Sequence, residues 1–480
     1  MVQPLRQVPE AHVERERGEE EPRPIGAPAE QDRHRDGEPQ HTAEERGSRT
    51  KIHSPASLAR IVLPVSKAVA TRLGQVGGLT GAVEITHDGQ ALPARLGEPL
   101  ALSLIAADRL LLSRSPKLHR PRGPYCLRGA CEGCLVRVNG LPNQPACRVI
   151  VEGGERVETQ NVLGTRETDL LSAADFLFPQ GIDHHRLMAG VRGLSPLVGS
   201  FARRVAGLGK LADHAPPALP AERVEVPVLI VGGGRAGLGA AAALGPHATL
   251  VDDGFSLGGA LTALDPRRGE ELARRALSAG ATCLPRSTVV ALSREPEGQR
   301  GELTALVVTP ERTLVARCRA IVLATGRHDA APAFANNDLP GVLSARAALF
   351  AWQNDVLLGS RIALVGAGRF AEALVAQMSG AVELVQLDPS SVVRALGRDR
   401  ISAVEARVEG KTRRIKVDAL AFDGPGAPSF ELAVQCGAEV RFEPEAGYSP
   451  VAGADGSVSE GVFVASGETT WEAIRRRLAG

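Results

Sequence analysis

Val226-Pro-Val-Leu-Ile-Val-Gly-Gly-Gly-Arg-Ala-Gly237 is an apolar strand that runs straight into a glycine turn and then an alanine-rich helix. Each glycine of such a turn has its own use. Gly232 permits the tight reversal, Gly234 lets the backbone approach a pyrophosphate, and Gly237 brings helix and strand close. The phosphates of a dinucleotide would then meet the helix N-terminus, where free amides and the helix dipole favour anions. A glycine triplet alone is a weak signal, but this one has its context. Residues 248–251 read as a second parallel strand, ending in Asp252-Asp253 at the position where an acid meets the ribose hydroxyls.

Downstream, residues 321–323 form a third strand, closed by Ala324-Thr325-Gly326. Asp253 stands ahead of Gly258-Gly259 at the spacing that flavoprotein disulfide reductases use, which makes it the better ribose acid and Gly326 a second landmark of their fold. In those flavoproteins an Ala-Gly-Asp after the last strand meets the flavin side of the cofactor. Residues 462–465 lead instead into Ser466-Gly467-Glu468, so the acid here is Glu468 and is one carbon longer. FAD is the expected ligand of this first turn, with NAD or ATP as the alternatives.

A second turn follows residues 361–365: Gly366-Ala-Gly368-Arg-Phe-Ala371, then a helix and a strand over 383–387 that ends at Asp388. It suits an NAD(P)-type domain inserted within the first, although a fold of this kind is often kept without a nicotinamide. Residues 336–440 hold a single cysteine, which excludes the dithiol chemistry of thioredoxin reductase.

Upstream lies Cys126-Leu-Arg-Gly-Ala-Cys131-Glu-Gly-Cys134, with Cys147 following in the next hairpin. Three thiolates on one loop and a fourth beside it can surround two irons. Gly129, Ala130 and Gly133 leave backbone amides free to approach sulfur, which stabilises an added electron. The spacing is that of plant-type [2Fe-2S] ferredoxins, and the alternative is a structural zinc site. Strands over 82–88 and 91–95, a helix over 98–112, and strands over 135–138 and 149–151 complete the expected order of a β-grasp. The lone Cys283, Cys318 and Cys436 read as small buried residues.

Composition agrees with this reading. The 480 residues suit about three domains. Lysine and arginine number 56 against 55 acids, a balance that argues against a nucleic-acid partner. No apolar run is long enough to span a bilayer, and residues 1–50 hold no signal-peptide core, so a cytoplasmic setting is expected. Residues 1–56 are charged and lack aromatics, which predicts a disordered tail. The basic run Lys117-Leu-His-Arg-Pro-Arg122 reads either as a guide for an acidic partner or as a loop bracing the cluster. Asp183-His184-His185 reads as a helix cap and ordinary packing rather than a metal site.

The segment from His119 to Cys147, the turn Gly232–Gly237 and Ala324-Thr325-Gly326 together resemble the α subunits of amine-oxidising flavoenzyme complexes: heterotetrameric sarcosine oxidase, opine oxidase, dye-linked proline dehydrogenase and hydrogen cyanide synthase. The resemblance implies an FAD-containing β-type subunit that oxidises the amine, with this chain passing electrons. Sarcosine oxidase α chains continue into a folate-binding domain, for which no counterpart is expected before Gly480. The expected architecture is α/β. An N-terminal β-grasp, ferredoxin-like [2Fe-2S] domain (57–164) leads through a helical linker (165–225) to a Rossmann-type, thioredoxin-reductase-like flavoprotein body. That body comprises FAD-binding parts at 226–335 and 441–480 around an inserted NAD-binding-like domain at 336–440. The rival functions are a stand-alone NAD(P)H-dependent reductase and a non-catalytic nucleotide-binding scaffold.

Overall fold

A computed structural model describes residues 71–72, 81–115, 118–169, 210–294, 303–444, 446–465 and 467–479. The first sheet has five strands in the order Gln90–Arg95, Ala82–His87, Arg156–Glu158, Leu135–Val138, Leu141–Pro145. Asp88-Gly89 turns the first hairpin with both residues at positive φ, as its two-residue loop requires. The helix Leu100–Ala106 lies against this sheet and buries its residues from Leu100 to Ile105 on every side. Such burial is possible because one apolar core holds the sheet residues Ile85 and Leu92, this helix, and Ala347 and Leu349 of the later helix Ala345–Gln353.

Two sequence expectations fail here. The helix stops at Ala106 rather than reaching residue 112, because Asp108 turns left-handed at φ 60° and its carboxylate pairs with Arg400. Residues 149–151 are not a strand. Their backbone serves the helix start instead: Leu100 donates to the Val149 carbonyl at 2.8 Å, and Val151 donates to that of Glu98 at 2.9 Å. The strand that completes the sheet is Arg156–Glu158. Of the expected helical linker at 165–225, only residues 165–169 and 210–225 are described. Residues 210–220 hold no helix, and Ala221 already begins a strand. Pro216, Pro217 and Pro220 account for this, since proline lacks the N–H a helix interior needs. Residues 1–56 and 183–185 lie outside the described residues.

The second sheet has eight strands around a parallel core in the order Thr282–Leu284, Ala248–Val251, Ala221–Val231, Thr313–Leu323, with Val462–Val464 beyond. Its central strands are buried on both faces. Val228 and Ile230 meet Leu238 of helix Arg235–Leu244 and Ile474 of helix Glu468–Ala479. Leu229 and Ile321 share the opposite core with Ala433 of helix Glu431–Gln435. After Leu323 the chain builds a separate parallel sheet, Val342–Ser344, Ala419–Asp423, Arg361–Gly366, Glu383–Leu387, and returns to the first one at Val462.

Leu104 is fully buried in the core shared by the cluster-bearing fold and the helix Ala345–Gln353, whereas Leu96 is 44% exposed. Leu104→Ala should cost about 2–5 kcal/mol. Leu96→Ala should stay within about 0.5 kcal/mol of the parent. Urea unfolding followed by circular dichroism measures both.

Candidate cluster and nucleotide site

The cysteine loop is shaped by backbone rather than by regular structure. Leu127 and Gly129 both take positive φ, at 50° and 78°, and the turns they make aim amides at sulfur. Gly129 donates to Cys147 Sγ at 3.1 Å. The amides of Arg128 and Ala130 reach Cys126, and that of Gly133 reaches Cys131. Cys147 is delivered by the hairpin Leu135–Val138/Leu141–Pro145, with Ala146 donating to the Cys134 carbonyl at 2.9 Å. Cys126, Cys134 and Cys147 are buried and Cys131 is half-buried.

The four thiols form a chain of neighbours: Cys131 with Cys126, Cys126 with Cys147, and Cys147 with Cys134. Hydrogen bonds from Cys131 and Cys147 hold Cys126 down to about 2, and Cys147 lowers Cys134 likewise. Cys131 and Cys147 are pushed up, chiefly because they supply those hydrogen bonds and then because they are buried. Among the described residues, no three His, Cys, Asp or Glu side chains gather on a single ion position. Two sulfur pairs with amides directed at them fit the donor set of a two-iron cluster. Cys318, by contrast, is pushed up to about 12 by burial and then by Glu225, and Cys283 and Cys436 are likewise raised by burial.

At the first glycine turn, Gly232 sits at φ 109°, and a side chain there would collide with the Ala324 carbonyl. A side chain at Gly237 would collide with the Gly232 carbonyl. Gly234, the cap of helix Arg235–Leu244, is different. A Cβ there would meet nothing nearer than Gly259 Cα at 3.9 Å, so the space above it is open. Gly326, at φ 74°, also faces open space. The two aspartates divide their labour. Asp252 turns inward, accepting from Gly233 N at 2.5 Å and Gly254 N at 2.8 Å, and burial raises its pKa against those two amides. Asp253 remains exposed at the rim. Glu468 opens the last helix and pairs with Arg475 on that helix at 2.9 Å.

The cluster loop rests on this crevice, a feature that no sequence motif signalled. Arg148, next to Cys147, donates to the Asp253 carbonyl, lies 3.7 Å from its carboxylate, and stacks over Phe255 at 5.9 Å. Arg128 donates to the Arg327 carbonyl at 3.0 Å, just past Gly326, and the Tyr125 hydroxyl donates to the Ala330 carbonyl. The basic run is consumed internally as well. Arg120 and Arg122 both pair with Asp338, and His119 Nδ1 lies 3.1 Å from Asp169, so these groups brace the loop rather than face a partner. Lys117 lies outside the described residues.

The second turn repeats the first in backbone. Gly366 is at φ 102°, and Gly368 caps helix Arg369–Met378. Asp388, a cofactor-binding candidate at the end of the next strand, caps the short turn Pro389–Ser391, where the Ser390 hydroxyl and amide hold its pKa down.

Residues 80–162 match the family described as a 2Fe-2S iron-sulfur cluster binding domain. The chain is 28% identical to the sarcosine oxidase subunit alpha of Rhizobium meliloti (strain 1021), over 76% of this chain and 42% of that protein. It therefore spans less than half the length of that relative. The hydrogen cyanide synthase subunit HcnA of Pseudomonas aeruginosa is 35% identical over 15% of this chain and 70% of its own. The solved L-proline dehydrogenase from P. horikoshii has the same fold, with a TM-score of 0.62 at 22% identity over 82% of this chain and 70% of that one. The class is thus an iron–sulfur module joined to a Rossmann-type nucleotide-binding body. Within it, the chain is a relative of the sarcosine oxidase α subunits with an N-terminal 2Fe-2S domain.

The purified protein should contain about two irons and two acid-labile sulfides per chain and no stoichiometric zinc. Cys131→Ser should abolish the EPR signal of the dithionite-reduced protein; a spectrum unchanged in that variant would remove Cys131 from the ligand set.

Proposed function

We propose that this chain is the electron-transferring subunit of a cytoplasmic complex that oxidises an amine or amino acid of the sarcosine, opine or proline type, that is, a CH–NH donor. In this reading Cys126, Cys131, Cys134 and Cys147 hold a [2Fe-2S] cluster. FAD lies on the first glycine turn, with its pyrophosphate over Gly234, a ribose on Asp253, and its flavin end toward Gly326 and Glu468. The observation that carries the reading is the seating of the cluster loop on the nucleotide crevice, through Arg148 on Asp253 and Arg128 on Arg327. A flavin bound there would accept electrons in pairs and release them singly to a one-electron cluster.

The chain's own residues set the geometry for that exchange. Arg148 links the residue beside a cluster ligand to the proposed ribose acid, so the two sites cannot drift apart independently. Asp252, engaged by two amides, keeps the turn shaped whether or not a ligand is bound. Tyr125, whose pKa is raised by burial and then by Asp329, remains a neutral donor to Ala330. The likeness to a sarcosine oxidase α subunit supports a β-type flavoprotein partner on which the donor reacts.

Gly234→Val puts a side chain into the open space, where φ is −77° and the nearest atom to a Cβ is 3.9 Å away. The wild-type supernatant after denaturation should contain FAD, and that of Gly234→Val should not; NAD or ATP in its place would reassign the ligand, and no nucleotide in either would refute the site. In an artificial-dye assay over N-methyl amino acids, imino acids and opines, the isolated chain should turn over little until a β-type flavoprotein is co-expressed. Substantial turnover by the chain alone would place the substrate site here.

A further inference from the structure

The two glycine turns share a backbone and differ in one side chain. In each, the first glycine abuts a carbonyl at the end of the neighbouring strand, that of Ala324 just past Leu323 beside Gly232 and that of Asp423 beside Gly366. In each, the third residue caps the following helix with nearly the same angles, φ −77° and ψ −172° at Gly234, and φ −78° and ψ 179° at Gly368. The side chain on that carbonyl's residue is a methyl group in the first turn and a carboxylate in the second. The Asp423 carboxylate accepts from Ala371 N, in the first turn of helix Arg369–Met378, at 2.7 Å. It also lies 2.7 Å from where a Cβ on Gly368 would stand, whereas the equivalent space over Gly234 is open to 3.9 Å.

We propose that Asp423 is the residue that decides which turn takes a nucleotide: its carboxylate occupies the anion position of the second turn, so that turn binds no dinucleotide pyrophosphate. The N-terminus of a helix carries a partial positive charge that one anion satisfies. In the first turn that anion is left to come from a ligand; in the second it is built into the chain. A pyrophosphate arriving at Gly368 would meet a fixed like charge and lose the Ala371 amide as a donor. Glu372, in the same first helical turn, adds a second acid, and Arg369, stacked on Phe370 at 5.1 Å, is the cation nearest the turn in sequence. Asp388, the acid that ends the next strand, is held by Ser390. Electrons therefore do not enter this chain from a nicotinamide on the second turn, which goes beyond the role proposed above and separates it from a stand-alone NAD(P)H reductase.

The test is calorimetric titration of NADH and NADPH into the purified holoprotein and its Asp423→Ser, Arg369→Glu and doubly substituted forms. Arg369 is exposed, so reversing its charge repels a phosphate on this turn without disturbing a core. The wild type should show no binding tighter than about 1 mM that responds to Arg369→Glu. Asp423→Ser should bind at least about tenfold more tightly, and Arg369→Glu should cancel that gain. Wild-type binding that Arg369→Glu weakens overturns the proposal, as does a folded Asp423→Ser protein with no gain. The wild-type and Arg369→Glu pair decides the matter if Asp423→Ser does not fold. Nucleotide on the first turn responds to Gly234→Val instead, so failure here and failure of the FAD assignment are distinguishable.

Discussion

The helix Leu100–Ala106 is buried on every side from Leu100 to Ile105, and much of the molecule's organisation follows from that. Its side chains close the five-stranded sheet on one side and enter the core of the inserted parallel sheet's helices on the other. A contact of this kind, continuous with both interiors, is dispersion and hydrophobic burial rather than a surface touch, and packed interiors resist small displacements. The cysteine loop is therefore carried on a base that does not slide relative to the nucleotide-binding body. The short-range contacts of Tyr125, Arg128 and Arg148 with residues 253 and 327–330 depend on that fixed base.

Ion pairs along the same seam differ in worth according to burial. Arg95 with Asp355 at 3.0 Å and Arg114 with Asp399 at 2.7 Å involve side chains largely shielded from water. Hydrogen bonds to charged groups in such places contribute about 1.5–3 kcal/mol each. Arg120 with Asp338 is more open and belongs near the 0–1 kcal/mol typical of surface pairs, so about the loop it sets orientation more than stability. Of the basic run before the cluster, Arg120 and Arg122 share the one acid Asp338.

The two glycine turns differ by little. Both need glycine for the same steric reason, a carbonyl that no side chain could approach. Helix dipole and amide donors are equally present in both. What distinguishes them is whether the residue whose carbonyl abuts the first glycine carries a methyl group or an acid.

Several features follow from the sequence alone because their rules are local. Strand, glycine turn and helix at 226–244 and 361–378, the strands 248–251, 383–387 and 462–464, and the cysteine spacing all rest on residues within a few positions of one another. Where an outcome depended on distant residues, the sequence was silent or misleading. The apolar pattern over 98–112 read as one helix, yet Asp108 breaks it to meet Arg400. Spacing to Gly258-Gly259 favours Asp253 over Asp252 as the ribose acid, but only the fold shows what Asp252 does, turning inward to Gly233 while Asp253 stays exposed. Arg148 reaches Asp253 across 105 residues, and Asp423 reaches Ala371 across 52. Tertiary structure decided these because hydrogen-bond partners of buried and half-buried charges are chosen by proximity in space, while local propensity constrains only the backbone that brings them there.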